Sequence, residues 1–481
     1  MADGSLGPFF SAGRQILRRI FVTVRDGDWQ EVAPIRWEID ERGSTTHILA
    51  RHRSDRVDFE WEGKLQVSED LRELNFDFAG KVVRDMDVCR LGLIVLHPVE
   101  LIVGARLTAM GPQGAQQVSV SRRIHPQPMV DGVPGAMTEP FSSLFIERED
   151  FGRLELHFFG ELFEMEDQRN WGDASFKTYC TPLRLGFPRR VTAGTTISHR
   201  VDVRYTPPLS GASVRAAAPP APSLRPVHGV SRFPELGREW RGSASLDELN
   251  AQRWQHVHVD MTDSPFAATL AALLESVTSP KLQVALRVAD GETIPTEFLA
   301  AVARYPARFA RLLIYGPSTS PPSRLTLERC RQAIAAVSGS VPVWAATSGY
   351  FVEFNRAIPF DLPVDGIAFP LTATVHSDDA ATVNQNVATI RDMADTAREL
   401  ARGRRLALAP LAVRFPPSAG RSLAPPLVAS WLVQTLKHAT QAGVTGITLA
   451  DDVIRALTPF SQLKSLIERA GLSLPAREHA S

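Results

Sequence analysis

Lysine is scarce in this chain: six of the 53 basic residues are Lys and the rest are Arg. A Lys standing among acids, as Lys177 does, therefore reads as a chosen compact cation. Cysteine is scarcer still. Cys89, Cys180 and Cys330 are odd in number and far apart, which excludes a disulfide framework and a zinc-ligand pattern and suits a reducing compartment. Net charge is absent too, with 53 basic and 53 acidic residues, so the electrostatic footprint of a nucleic-acid or anionic-membrane binder is missing. No apolar run reaches membrane-spanning length, and Met1 to Arg19 has no signal-peptide core. These absences predict a soluble, cytoplasmic protein whose partner is a small molecule, with no nucleic acid and no membrane; they leave the oligomeric state open. There is no Gly-x-Ser-x-Gly elbow and no Walker A or Gly-x-Gly-x-x-Gly loop, which argues against a serine esterase of the usual hydrolase fold and against nucleotide use.

At 481 residues the chain is long enough for two substantial cores. From Ile20 to about Tyr205 short alternating or β-branched runs are broken by Gly, Asp and Pro. Strands are expected at Ile20–Arg25, Val57–Gln66, Leu74–Val83, Leu91–Leu96, Gln117–Ile124, Leu154–Phe159 and Ile197–Tyr205. Many strands with few helices predict a β-sandwich over residues 1–205. A Pro- and Ala-rich linker follows at 206–228. Over 229–481 the rhythm becomes strand then helix. Strands are expected at Phe233–Leu236, His256–Met261, Leu282–Val288, Arg311–Tyr315, Val341–Ala346, Gly366–Pro370, Leu406–Ala412 and Gly446–Ala450. The expected helices include Leu325–Val337, Ala380–Ala401, Val428–Ala442 and Ser461–Arg469. Eight such units predict a (β/α)8 barrel of the TIM type, with its chemistry at the strand carboxyl ends.

The densest chemistry lies between Gly160 and Leu183. Glu161, Glu164, Glu166, Asp167 and Asp173 are offset within that stretch only by Arg169 and Lys177. So many carboxylates favour protonating one of them or demand donors from a substrate. Trp171, Phe176 and Tyr179 are interleaved as in a polar pocket with stacking walls. The plainer alternative is a solvated strand edge with loose ion pairs.

In the barrel half, Glu353 and Asn355 would share one face if the chain after the fifth strand stays extended; otherwise Glu353 pairs with Arg356 on the rim. After the sixth strand, His376 is an acid/base candidate, whereas at least one of Asp378 and Asp379 should cap the next helix. Asp451 and Asp452 either face the site or cap a segment. His256, His258 and Asp260 alternate along one strand, the spacing of metal ligands. Further ligands at later strand ends are lacking, so no metal or other cofactor is expected and one of the two histidines is read as a hydrogen-bonded packing residue. Cys180 is either a nucleophile beside Lys177 or a buried thiol.

The block Glu164-Met165-Glu166-Asp167-Gln168-Arg169-Asn170-Trp171, continued by Asp173-Ala174-Ser175-Phe176-Lys177-Thr178-Tyr179, resembles the most distinctive segment of the D-apionate lactonase family. Supporting pieces are Leu17 to Ile20, Val24 to Asp26 with Trp29, Arg90 to Gly92, Leu96 to Pro98, Phe351 to Arg356 and the segment around His376. At the eighth strand Asp451-Asp452 stands where that family tends to present a glutamate. The resemblance implies opening of D-apionolactone to D-apionate in apiose breakdown, by carboxylate acid/base chemistry. The expected catalytic residues are Glu166 or Glu353, with His376 as the alternative proton carrier. Arg169 and Lys177 would bind developing charge, Asp167, Asn170, Asp173 and Asn355 the substrate's polar groups, and Trp171 and Tyr179 would form walls. The same parts suit two other readings: a glycoside hydrolase with paired carboxylates, and a carbohydrate-binding relative without turnover.

Overall fold

The computed structural model describes residues 4–130, 132–208, 232–242, 245–251, 254–262, 266–357, 363–413 and 423–457. Most of the expected linker and the helix expected at Ser461–Arg469 fall outside these residues. The chain divides into two compact units. One comprises Met1–Arg122, Gln127–Gln168 and Ala174–Ser223; the other comprises Arg123–Pro126, Arg169–Asp173 and Leu224–Ser481.

The first unit is built mostly of strands. Its larger sheet is a nine-stranded antiparallel array running Gly114–Ser119, Arg106–Gly111, Ser143–Arg148, Gly152–Phe159, Thr196–Thr206, Glu73–Val82, Asp58–Val67, Thr45–Arg53 and Pro34–Arg42. Alternation explains it. In Glu73–Val82 the residues Leu74, Phe76, Phe78, Gly80 and Val82 face inward and the residues between them do not, the period-2 burial of a sheet with one covered face. The second sheet has six strands, with Arg19–Asp26, Met86–Pro98, Ser175–Tyr179 and Glu164–Asp167 in that order along its main path. Ile20, Val22, Leu91, Leu93 and Val95 of this sheet join Phe59, Phe76, Leu156 and Val203 of the larger one in a single core. The Pro34–Arg42 and Thr45–Arg53 hairpin was not expected. Pro34–Arg42 is an edge strand with no buried residue, so its sequence shows no burial pattern to detect.

The second unit holds a closed barrel of eight parallel strands. These are β1 (Glu235–Glu239), β2 (His256–Asp260), β3 (Lys281–Arg287), β4 (Phe309–Tyr315), β5 (Val343–Ala346), β6 (Gly366–Thr372), β7 (Arg405–Ala412) and β8 (Gly446–Leu449). Each lies on or within two residues of its expected start. Residues facing outward, such as Val257, Val284, Leu312, Ile367 and Leu408, share one core with helix residues such as Phe298, Ile334, Met393 and Leu432. Ala285, Leu313, Trp344, Ala346, Ala368 and Ala407 form a separate inner cluster. Large inner side chains require glycine across from them: a Cβ on Gly366 would lie 2.5 Å from the Trp344 ring, and one on Gly237 2.2 Å from the His256 ring.

Two expectations are corrected. The segment after β5 is the helix Phe351–Ala357 and not an extended run. Two residues on a helix are about 200° apart, so Glu353 and Asn355 do not share a face. The single helix expected over Ala380–Ala401 is two, Ala380–Asn386 and Thr389–Leu400. At the break the Thr389 hydroxyl donates to the Asn386 carbonyl at 2.7 Å, a local bond that competes with continuous helix.

Candidate active site

In the strand-rich unit, Glu164–Asp167 pairs antiparallel with Ser175–Tyr179 so that Glu166 lies opposite Lys177 and Glu164 opposite Tyr179. This register follows from a hairpin whose strands are buried along their whole length. Lys177 Nζ and Gln168 Nε2 both contact Glu166 Oε1. Burial pushes the Lys177 ammonium down to about 8, although Glu166 opposes the shift. The Tyr179 ring carries the Arg90 guanidinium 3.7 Å from its centroid, and its hydroxyl donates to Glu164 Oε2 at 3.3 Å. Burial raises the Glu164 carboxyl despite bonds from the Leu183 amide and Tyr179. Tyr179 itself is pushed well above its ordinary value by burial and by the Glu166 charge. Asp167 is also buried. The plainer expectation of a solvated strand edge is therefore overturned for these residues.

Cys180 is buried beside His199, Sγ to Nδ1 3.4 Å, and His199 Nε2 lies 3.5 Å from Glu161 Oε2. These three offer ligand atoms within 4.8 Å of one another, but opposite nitrogens of the ring face the thiol and the carboxylate. The imidazole thus spans the thiol and the carboxylate. Burial raises the thiol well above its usual range, as in an inert structural cysteine.

In the barrel unit, Arg169–Asp173 meets residues distant in sequence. Arg169 is 0% exposed and its Nη1 donates at 2.9 Å to Oδ2 of Asp392, whose side chain is 4% exposed. Arg169 thus already has a carboxylate partner within the protein, and it fixes the segment to the helix Thr389–Leu400. Asn170 donates to the His125 carbonyl at 3.0 Å and accepts from Asn355 Nδ2 at 2.9 Å, while Asn355 also donates to the Ile124 carbonyl. Thr389 Oγ1, whose shorter bond goes to the Asn386 carbonyl, also lies 3.2 Å from the Gly172 carbonyl. Held in this way, Asp173 places Oδ2 3.3 Å from His376 Nδ1, and the Trp171 and His376 ring centroids are 6.3 Å apart. His376 lies in the loop after β6, at the carboxyl end of the barrel, with its side chain 21% exposed.

Glu353 turns back on its own helix and accepts from the Tyr350 amide at 2.6 Å. Burial raises its carboxyl. Asp379 caps Ala380–Asn386 by accepting from the Thr382 amide. Asp451 accepts from Arg238 at 2.9 Å and Asp452 from the Val413 amide at 3.0 Å. His256 bonds Thr448 and His258 bonds Gln283, and burial lowers both imidazoles.

Sequence reasoning missed Asp392, and it named Arg90 only as part of the family resemblance. Asp392 is one aspartate on the buried face of an otherwise ordinary amphipathic helix, and nothing local marks it as the partner of an arginine more than two hundred residues away.

Residues 1–208 match the model of the D-apionate lactonase N-terminal domain, and residues 235–454 match that of the D-apionate lactonase TIM barrel domain. A strand-rich domain joined to a barrel of this kind defines the class, and the chain belongs to the D-apionate lactonase family. It is 25% identical over 423 residues to the D-apionate lactonase of Brucella anthropi, a match covering 80% of this chain and 66% of that protein; the chain therefore spans just under two thirds of that relative. Among solved structures, an endo-β-1,4-mannanase from Cellulomonas fimi aligns with a TM-score of 0.32 and 13% identity over 46% of this chain and 65% of its own. An Escherichia coli K12 protein described as a putative aldose 1-epimerase aligns with a TM-score of 0.25 and 11% identity over 36% and 69%. Scores this low bear on neither fold nor function.

Proposed function

We propose that this chain hydrolyses a sugar lactone, D-apionolactone to D-apionate in apiose breakdown, with His376 oriented by Asp173 as the acid/base group. The observation that carries the reading is the His376–Asp173 contact at the carboxyl end of the barrel, in a chain of this family. A buried carboxylate on Nδ1 fixes the ring and favours the tautomer in which Nε2 is the basic nitrogen, as in histidine–aspartate pairs generally. The water oxygen attacks the lactone carbonyl carbon while its proton passes to His376. The tetrahedral oxyanion then collapses, the bond from acyl carbon to ring oxygen breaks, and the ring oxygen leaves with that proton. The products are a hydroxyl group and a carboxylic acid, which ionises at neutral pH. Trp171 supplies a wall, and Arg169, Asn170 and Asn355 hold the segment that carries Asp173. Glu166 and Lys177 are a separate claim with their own test, given in the Discussion.

Acid release from D-apionolactone above the spontaneous rate, unchanged by a chelator, is the expected result. His376→Ala should lower kcat by about 10²-fold or more, the usual loss for a general base, with an unchanged melting temperature. Wild-type-like turnover in that variant ends the assignment. Release of aryl alcohol from aryl glycosides with no lactone hydrolysis favours the glycosidase reading instead.

A further inference from the structure

The barrel mouth holds a second group of side chains that the acid/base pair does not use. Inward-facing positions alternate along each strand. On β1 they are Glu235, Gly237 and Glu239, since a Cβ on Gly237 would meet His256 inside the barrel. On β2 they are His256, His258 and Asp260; the side chains of Ala285 on β3 and of Leu313 and Tyr315 on β4 lie in the inner cluster, which places Arg287 inward as well. Four consecutive strands therefore end, at the carboxyl face, in Glu239, Asp260, Arg287 and Tyr315.

These ends are not a random rim. Tyr315 is 2% exposed and packs in the inner cluster, with its hydroxyl as its one polar side-chain atom. The charges of Asp260 and Glu239 both act on that hydroxyl, and with burial they hold it protonated. Arg287, level with Tyr315 in the strand register, lies 5.9 Å from the Tyr315 ring and is tied to the Gly316 carbonyl and Ser348. Glu239 is buried and bridged to Arg241 at 2.8 Å. Asp260 is exposed and accepts from the Thr262 amide at 3.0 Å. The mouth thus offers one phenol donor, two carboxylate acceptors and two fixed guanidinium groups. The inner cluster that contains Tyr315 also holds Ala346, Ala368, Ala407 and Ala409.

We propose that Glu239, Asp260 and Tyr315 form the polyol-binding site of the barrel, the carboxylates accepting from neighbouring hydroxyls of a sugar-derived lactone and the Tyr315 hydroxyl donating to its carbonyl oxygen. The chemistry matches the side chains. Vicinal hydroxyls need adjacent acceptors, and a protonated phenol is the donor that a developing oxyanion requires. Arg241 bridges the Glu239 carboxylate at 2.8 Å and orients it as an acceptor. Tyr315 would be catalytic, whereas Glu239 and Asp260 would set affinity. The proposal rests on the lactonase reading for the identity of the carbonyl but not for the binding of hydroxyls.

Three variants test it. Tyr315→Phe should lower kcat on D-apionolactone by about 10²-fold, as loss of one oxyanion donor does, with KM changed by less than threefold. Asp260→Asn, at an exposed side chain where folding is not at risk, should raise KM about tenfold with kcat kept, the scale of losing a hydrogen bond to a charged group. Glu239→Gln should act like Asp260→Asn. Unaltered kcat in Tyr315→Phe, or unaltered KM in Asp260→Asn, overturns the proposal. If the wild-type protein hydrolyses no lactone, the functional reading has failed, and the site is judged by calorimetric titration with D-apionate. Wild-type binding that Asp260→Asn weakens at least tenfold then upholds the site; no wild-type binding, or equal binding by both proteins, overturns it.

Discussion

Lys177 shows how far a single residue can be read. Its rarity and its acidic neighbours were visible in the sequence, and the alternation of two short strands explains why Glu166 is its direct opposite. The depth of burial was not visible, because it depends on strands far along the chain. Burial sets a testable sign. The folded value is about 8, below the roughly 10.4 of an unfolded lysine. Between those values the unfolded chain binds more protons than the folded one, so stability rises with pH. Below pH 8 the full cost of burying the ammonium is present, on the order of 3 kcal/mol, and it is relieved as pH climbs towards 10.4. Chemical denaturation of the wild type from pH 8 to 10.5 should show this rising contribution relative to Lys177→Met. Equal slopes would mean that the ammonium is not desolvated. The same pair is tested for chemistry by Glu166→Gln: full lactone hydrolysis with a lowered melting temperature would make Glu166 structural only.

At the level of elements, most barrel strands were legible because they are short apolar runs between turn residues, whereas the helix Phe351–Ala357 was not. It has seven residues, too few for a period of 3.6 to declare itself. Its start nevertheless follows a known rule, since a Glu in the first turn reaches back to an amide just before the helix. Glu353 does so at Tyr350, and Gly349 leaves it room: a Cβ there would come within 2.9 Å of the Glu353 carboxyl. The carboxylate read from sequence as a water-activating base is therefore occupied as a cap. Glu353→Ala should cost about 1 kcal/mol of stability, the usual worth of a cap. Glu353→Gln should retain the bond, because glutamine serves equally in this position. It also relieves the burial penalty that raises the carboxyl. Both variants should keep kcat within threefold. A large loss of kcat in Glu353→Gln, with its melting temperature unchanged, would return Glu353 to the mechanism.

For the whole molecule, the strand-to-helix rhythm and the family block together indicated two architectures along one chain. They did not indicate that the barrel unit is assembled from three stretches, Arg123–Pro126, Arg169–Asp173 and Leu224–Ser481. Sequence periodicity is local, and the bonds that make this assembly are not: Ile124 to Thr396, Asn355 to Asn170 and Arg169 to Asp392 each span more than 180 positions. In the ion pair both partners are desolvated, at 0% and 4% side-chain exposure. Removing one charge leaves the other buried without it, which costs about 3–5 kcal/mol, whereas replacing both with apolar groups of similar volume is often neutral or stabilising. Arg169→Met and Asp392→Leu should each destabilise the barrel by that amount, and the double variant should recover most of it. Native-state hydrogen exchange in β6 and in Thr389–Leu400 reads the barrel separately from the strand-rich unit. The single variants should also lose lactone hydrolysis, because Asp173 would no longer be held against His376, and the double variant should regain it only if apolar packing restores that position. Single variants whose exchange protection falls by less than about 1 kcal/mol would show that the pair neither stabilises the barrel nor anchors the segment carrying Asp173.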